Sequence, residues 1–181
     1  MPDAFKAIIV IILLVICFVI FPAQRQADKA EDTAKSLAKA AIVNFVDDVR
    51  SKGYIDVRDY KVLLKSLDAT NRVFDIQMEY YKKNIQPNYD NPNDINTFKE
   101  DFNVRYDGYF NSTILAKLFP DTLLEEDNPD RYFKMHEGDL FNVRIISKDK
   151  SLSDQIKSFI YRSPNIPIAD QYGGMIRNEA P

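Results

Sequence analysis

The chain has 181 residues, with 24 Lys and Arg against 27 Asp and Glu, which gives a formal net charge of −3 at pH 7. Basic and acidic residues are mixed throughout without a basic run, which argues against nucleic acid as a partner. A single histidine and a single cysteine leave too few residues for His- and Cys-based catalytic or metal sites. We therefore expect no enzymatic activity, no cofactor and no metal, and we identify no small-molecule substrate.

An uncharged apolar segment, Ala7–Ala23, stands near the N-terminus. A helix that spans a bilayer needs about 20 mostly apolar residues, with a lower limit near 17. The segment is just long enough, so residues 1–23 are predicted to be a transmembrane anchor with membrane lipid as its partner. The anchor positions are Ile8, Ile11, Leu14, Phe18 and Phe21.

Two alternatives remain open for this segment: a cleaved signal peptide and the buried core helix of a soluble protein. The first is disfavoured because Phe21 stands where a small residue would precede the cleavage site. Orientation is also open, since one basic residue, Lys6, precedes the anchor and Arg25, Lys29 and Lys35 follow it. That count alone would keep the head in the cytoplasm. Our preferred interpretation is a single-pass protein of the cell membrane with an extracytoplasmic head.

The region after the anchor predicts a long amphipathic helix over residues 24–52. From Gln24 to Lys52 there is no Gly or Pro, and Gly53 is suited to end the helix. Pro22 lacks an N–H group and is expected to bend the helix near the membrane surface. Small apolar residues recur at steps of three and four, and we call this set the alanine seam: Ala23, Ala27, Ala30, Ala34, Leu37 and Ala41.

The alanine seam has two interpretations. Its spacing resembles a heptad packing face, which can pack against the chain's own domain. Small residues also let helix backbones approach closely, which favours lateral packing against copies of the chain or related anchored subunits. Both can hold on successive parts of the seam.

Residues 53–181 are predicted to form an α+β globular head, a small antiparallel sheet with flanking helices. Asp56 is expected to cap a helix. Alternating patterns predict strands at Phe74–Tyr80 and Leu140–Ser147, and a third strand at Gln171–Asn178. In the third strand, Gly173-Gly174 predicts either a bulge or a close backbone approach.

Between these strands the sequence predicts loops and short helices. Asn84–Asp94 is expected to be a loop, and Leu123–Arg131 an acidic, solvated segment. Asp94 is expected to cap a helix that carries Ile95, Phe98 and Phe102. Further helices are predicted at Thr113–Phe119 and after a Ser151 or Ser153 cap, the latter with Leu152, Ile156, Phe159 and Ile160 on one side.

The arrangement of an apolar helix, a continuing amphipathic helix and an α+β head resembles type IV pilins and pseudopilins, although Phe5 stands where a mature pilin carries glutamate. The chain also resembles TadE-like membrane-anchored components of Tad-type pilus systems. The similar segments are AEDTAKSLAKAAIVNFVDDVRSKGYI, FDIQMEYY, HEGDLFNVRI and YGGMIRNE.

The resemblance implies a non-enzymatic structural or assembly component of a pilus-like surface or secretion apparatus, which packs through its N-terminal helix. The alternative is a membrane-tethered extracytoplasmic binding module, such as a sensor or an adhesin head. Its basis is the stretch Tyr80–Tyr109, which is rich in Tyr, Asn and Asp, residues that supply adaptable contact surface.

Overall fold

The computed structural model describes residues 2–121, 124–149 and 167–179. In these residues the chain is α+β, with a long N-terminal helical segment followed by a head of antiparallel sheets and helices. The predicted fold class is confirmed at this level. The predicted helix after Ser151 or Ser153 lies outside the described residues.

The N-terminal segment consists of α1 (Pro2–Val15), a π-helical turn (Ile16–Ile20) and α2 (Phe21–Lys52). The helix ends where the sequence predicts, because Gly53 adopts φ 78°, a left-handed conformation that costs glycine little. The N–H of Gly53 donates to the carbonyl of Val49 at 2.8 Å, which completes the C-terminal cap.

The head alternates short helices with strands. Its elements are β1 (Tyr54–Ile55), α3 (Val57–Asp68), β2 (Phe74–Tyr89), β3 (Phe98–Phe110), α4 (Asn111–Leu118), β4 (Phe133–Lys134), β5 (Leu140–Ser147) and β6 (Ala169–Met175). Single turns of 3₁₀ helix lie at Ile95–Thr97 and Pro129–Arg131. A four-stranded antiparallel sheet has the order β3-β2-β5-β6, and a two-stranded pair joins β1 to β4.

The core lies between one face of the large sheet and the helices. The C-terminal half of α2 crosses this inner face and contacts β5, β6 and α3. Burying each large apolar side chain stabilises the fold by about 1.5–3 kcal/mol, so α2 is part of the packing unit of the head. The fully buried residues of the core include Ile42, Val46, Leu63, Met78, Ile114, Leu118, Phe141 and Ile145.

The predicted cap of α3 is confirmed. Asp56 is buried, and its Oδ1 accepts a hydrogen bond from the N–H of Asp59 at 2.7 Å. This bond satisfies one of the free N–H groups of the first helical turn.

Two predictions between β2 and β3 were wrong. Asn84–Tyr89 belongs to β2 rather than to a loop. Phe98 and Phe102 belong to β3 rather than to a helix, and Asp94 caps only the 3₁₀ turn through the N–H of Asn96. A proline is tolerated at position 87 because, among the described residues, β2 pairs only with β3 at this point and its other edge is free.

The predicted solvated segment is also wrong at its last residue. Arg131 is buried, and it donates from Nε to the carbonyl of Leu118 at 2.8 Å and from NH1 to that of Leu124 at 3.1 Å. An arginine satisfies the free carbonyls at the end of α4 in this way. The sequence predicts exposure for Arg131 from the charged residues around it, because its partners are carbonyl groups of other segments that the local pattern does not show.

At β6 the glycine pair marks a close backbone approach. β5 and β6 pair without a bulge from Leu140↔Met175 to Ile146↔Ala169. A Cβ at Gly173 would lie 2.7 Å from the carbonyl oxygen of Phe141, too close for any side chain. The strand itself is shifted from the predicted Gln171–Asn178 to Ala169–Met175.

Candidate functional site

Among the residues that the structure describes, the most apolar stretch of the N-terminal helix is exposed rather than packed against the head. Its most apolar window of 18 residues has mean hydropathy 3.2, and none of that window is buried. In the described part of the chain, one helix is long and apolar enough to cross a membrane by length and composition. A soluble core helix would be mostly buried, so the structure disfavours that alternative. All five anchor positions are exposed: Ile8, Ile11, Leu14, Phe18 and Phe21.

Pro22 is associated with a local change of helix type. The N–H of Phe21 donates to the carbonyl of Ile16, five residues earlier, which is the π-helical pattern. A proline ring crowds the carbonyl four residues before it, here that of Phe18. The wider π turn just before Pro22 provides room for this ring. The bend angle at this position stays a prediction.

The end of the apolar segment carries a cation. The guanidinium carbon of Arg25 lies 5.4 Å from the ring centroid of Phe21, within range of a cation–π interaction. An aromatic ring beneath a basic group is typical of the boundary between hydrocarbon and water.

The structure divides the alanine seam. Ala34 and Ala41 are buried in the head, and Ala38, which the sequence analysis missed, is fully buried between them. Buried apolar residues continue along the same side of α2 at steps of three and four, through Phe45 and Val49. That periodicity was the signal that could have identified Ala38.

The rest of the seam is mostly exposed. Ala23, Ala30 and Leu37 recur every seven residues and all face solvent, whereas Ala27 is half-buried. Thr33 and Ala40 lie beside them and are also exposed. We call these five exposed residues the α2 stripe: Ala23, Ala30, Thr33, Leu37 and Ala40.

A polar clamp joins α2 to β6. Arg50 donates from Nε to the carbonyl of Met175 at 2.9 Å and pairs with Asp47 at 2.8 Å. The hydroxyl of Tyr172 donates to the same Asp47 carboxylate at 3.2 Å. A Cβ at Gly174 would lie 2.8 Å from the guanidinium carbon of Arg50, so glycine provides the space for this contact.

The most connected polar cluster in the head centres on Asp139, whose exposed fraction is 2%. Its carboxylate accepts from the Tyr80 hydroxyl and from the backbone N–H groups of Lys83 and His136. Burial, followed by the hydrogen bond to Asp139, raises the pKa of the Tyr80 hydroxyl well above its usual range. Two of these donors lie on β2 and the third lies in the turn before β5, so the carboxylate links the two segments.

The lone histidine is a surface residue. The side chain of His136 is 74% exposed, and its Nδ1 lies 3.8 Å from Asp139. Among the described residues no group of three His, Cys, Asp or Glu could hold a metal ion.

The side-chain oxygens of the residues near the β2–β3 turn already contact neighbouring residues of the chain. Asn91 accepts from the N–H of Asn93, and Asp90 pairs with Lys99 at 2.6 Å. These contacts use oxygens that a calcium site would need.

One open cavity of about 610 Å³ lies between α4 and β4. It presents two lysines, Lys117 and Lys134, and the carboxylate of Asp130. Its remaining lining residues are Thr113, Ala116, Pro129, Tyr132 and Phe133. This set has no nucleophile paired with a base, as covalent catalysis would require.

The Tyr- and Asn-rich stretch forms a projecting hairpin. β2 pairs with β5 only as far as Tyr81↔Leu140, whereas β2 and β3 continue together to Tyr89↔Phe98. We call the two-stranded part, residues 82–107, the arm.

The apolar residues of the arm lie on the opposite face of the sheet from the apolar residues of the core. In the body of the sheet Ile76, Met78 and Tyr80 face the core. Along the arm the apolar residues lie on the opposite, outer face, where Ile85 pairs with Val104 and Pro87 with Phe102. The apolar positions of β2 therefore change from even to odd numbers after the Tyr80-Tyr81 pair. The exposed apolar residues of this outer face include Ile85, Phe98, Phe102, Val104 and Tyr106.

The chain was compared with protein-family models, with curated proteins and with solved structures, and none of them matches it.

Proposed function

We propose that this chain is a non-enzymatic, single-pass membrane-anchored structural or assembly component of a pilus-like surface or secretion apparatus. It packs through its N-terminal helix against copies of itself or related anchored subunits. The observation that carries the proposal is the α2 stripe, since Ala23, Ala30 and Leu37 remain exposed from the last residue of the apolar segment onward.

Two features of α2 support lateral packing. Small residues at a spacing of seven let two helix backbones approach closely, which favours helix association beside a membrane. The head buries a neighbouring side of the same helix through Ala34, Ala38 and Ala41. One helix can therefore pack against its own head and against a second helix at the same time.

The clamp between α2 and β6 supports a mechanical role. Arg50 and Asp47 join the helix to the sheet, and the backbone N–H groups of Arg177 and Asn178 donate to the carbonyl of Arg50. A force applied to the head thus reaches α2 through several hydrogen bonds rather than through a flexible linker.

The test is disulfide cross-linking of the full chain in native membranes. Cys17 is first replaced by alanine, and Ala30→Cys is compared with Asp32→Cys, which lies about 200° around the same helix. Both positions are exposed. We expect oxidant-dependent dimers, or adducts with a related subunit, from Ala30→Cys and not from Asp32→Cys. Equal cross-linking at both positions, or none at either, contradicts the proposal.

The head is placed outside the cytoplasm in this proposal. Lys65→Cys in the Cys17→Ala background gives one cysteine on the exposed side of α3. A membrane-impermeant maleimide should label it in intact cells. Labelling only after lysis would place the head in the cytoplasm.

A membrane-tethered binding module is the second candidate, favoured by the exposed apolar outer face of the arm. A fragment beginning at Gly53 is unsuitable for testing it, because Ile42, Val46 and Val49 of α2 complete the core. In the full chain, a photo-activated cross-linker at Ile85 should capture a different protein. Cross-links solely between copies of this chain would exclude this candidate.

A further inference from the structure

β3 lies at one edge of the four-stranded sheet and is unusually long for an edge strand. It runs from Phe98 to Phe110, and β2 is the one strand that it pairs with in the part of the chain that the structure describes. Within the described residues, no backbone hydrogen bond to an element other than β2 satisfies the outer edge of Asn103–Phe110. Such an edge presents free N–H and C=O groups that can pair with another strand.

The two halves of this edge differ in their protection. At the tip, Glu100 has φ 57° and the pairing with β2 shifts register. This irregular part also carries the charged residues Lys99 and Asp101. Bulges and charges of this kind prevent edge-to-edge pairing. The regular part, Phe102–Phe110, carries only Arg105 and Asp107 as charges, so it is the half that is free to pair.

The sequence of the regular half is complementary to itself. Two copies of β3 can pair symmetrically about a two-fold axis that is perpendicular to the sheet and lies midway between the two strands. One residue must then lie opposite its own copy, because only in such registers do opposite side chains lie on the same face. We name each register by this central residue. With the axis at Tyr106, Arg105 lies opposite Asp107 of the other copy, and Phe102 lies opposite Phe110. Opposite charges and aromatic pairs facing each other across strands are stabilising.

The adjacent registers are unfavourable. An axis at Arg105 places two arginines opposite each other, and an axis at Asp107 places two aspartates opposite each other. An axis at Val104 brings Asp107 against Asp101. Like charges directly opposite one another destabilise a sheet, so among these four registers charge favours the one centred on Tyr106.

We propose that β3 pairs with β3 of a second copy of this chain, antiparallel and centred on Tyr106. The result is a continuous eight-stranded sheet whose two arms place their apolar outer faces on the same side. In this register Gly108 lies opposite Val104 of the partner, beside the rings of Phe110 and Tyr81 of its own chain. This contact uses the head alone, so it goes beyond the proposed packing of the membrane helices.

Cysteine cross-linking of the full chain in detergent or lipid nanodiscs tests the register, again with Cys17 replaced by alanine. Tyr106→Cys places two cysteines opposite each other at the axis, with Cβ atoms about 4.5–5.5 Å apart, close enough for a small movement of the two edge strands to close a disulfide. Val104→Cys is the matched control, because Val104 and Tyr106 share a strand and a face and have exposed fractions of 46% and 43%. In the proposed register two Val104 positions lie four residues apart, about 14 Å.

We expect at least a tenfold preference for disulfide-linked dimers from Tyr106→Cys over Val104→Cys. Mixing chains that carry Phe102→Cys with chains that carry Phe110→Cys should also give dimers, whereas each alone should not. Equal yields from Tyr106→Cys and Val104→Cys, or no dimer from Tyr106→Cys, overturn the proposal. The result is independent of the Ala30→Cys experiment, so either proposal can fail without the other.

Arg105 and Asp107 also form an ion pair inside one chain, at 3.0 Å. A charge reversal distinguishes that contact from pairing between two chains. Arg105→Asp alone gives strands that carry only aspartates at these positions, and Asp107→Arg alone gives strands that carry only arginines. Each variant should lose self-pairing, as measured with the Tyr106→Cys reporter, and an equimolar mixture should regain it. Failure of the mixture to regain cross-linking overturns the proposed register.

Discussion

At the scale of single residues, buried polar groups hold the head together by reaching distant partners. Asp139 joins the turn before β5 to Tyr80 and to the backbone of Lys83, and Arg131 closes the end of α4. A buried carboxylate or guanidinium is tolerated because its hydrogen-bonding groups are satisfied. Asp139 lies in the turn before β5, but Tyr80 and Lys83 come from a strand more than fifty residues earlier, a pairing that no local sequence pattern reveals.

Tyr80→Phe tests this link. Removing the hydroxyl takes one donor from the buried Asp139 carboxylate, and we expect the free energy of unfolding to fall by about 1.5–3 kcal/mol at pH 7. Urea denaturation followed by circular dichroism measures this change. Tyr106→Phe, at an exposed position, is the control and should change stability by less than about 0.5 kcal/mol.

The raised pKa of Tyr80 also predicts a dependence on pH. A phenol with a folded pKa above its unfolded value of about 10 contributes stability that is fully present below pH 10 and is lost as the pH rises through the folded value. Tyr80→Phe lacks this contribution. The difference in stability between wild type and variant should therefore be constant from pH 7 to 9 and should narrow above pH 10. A difference that widens above pH 10 contradicts the assigned direction.

At the scale of elements, periodicity predicted α2, α3 and α4 and three of the six described strands, which are β2 in part, β5 and β6. It missed β1, β3 and β4, and it failed within β2 where the partner of that strand changes. α2 follows its predicted course to Gly53 because helix propensity and the glycine cap are local properties. β2 was predicted only to Tyr80, since its apolar positions change face after that residue. The reason for this change of face is visible only in the sheet, where β5 begins at Leu140 and its pairing with β2 stops at Tyr81, beyond which β2 and β3 form the arm.

Substitutions in α2 distinguish its two sides. Ala38 is fully buried against the sheet, whereas Ala40 is exposed. Ala38→Leu adds three heavy atoms to a packed interface, and we expect it to lower the free energy of unfolding by about 1–3 kcal/mol. Ala40→Leu should change it by less than about 0.5 kcal/mol. Comparable losses in both variants, measured by thermal or urea unfolding in detergent, would show that the buried side of α2 is misassigned.

At the scale of the whole molecule, an exposed apolar helix extends from a head that already has a complete core. Leaving this many large apolar side chains in water is unfavourable, at roughly 25 cal/mol per Å² of apolar surface. A lipid environment removes that cost. In the proposals above, the anchor faces lipid and the α2 stripe faces a neighbouring chain, while the arm leaves its apolar outer face exposed.

A charge in the middle of the apolar helix tests the anchor. Leu14→Arg adds an insertion cost of about 2.5–3.5 kcal/mol near the centre of the span. We expect this variant to move substantially from the membrane fraction to the alkaline-carbonate supernatant. Gln26→Arg, beyond the apolar segment, should stay in the membrane fraction. A wild-type chain that is itself extracted by carbonate, or whose intact mass lacks residues 1–21, would exclude a retained anchor.

The sequence by itself determined the properties that depend on neighbours along the chain. These are the apolar length of Ala7–Ala23, the helix up to Gly53, the cap at Asp56 and the α+β class. Tertiary structure decided which residues of the alanine seam the head covers, where Arg131 is buried, and how the arm reverses its faces. Local patterns set which side of an element is apolar, but only the packed fold determines which of these sides find a partner within the chain. The α2 stripe and the outer face of the arm are the sides left without one among the described residues.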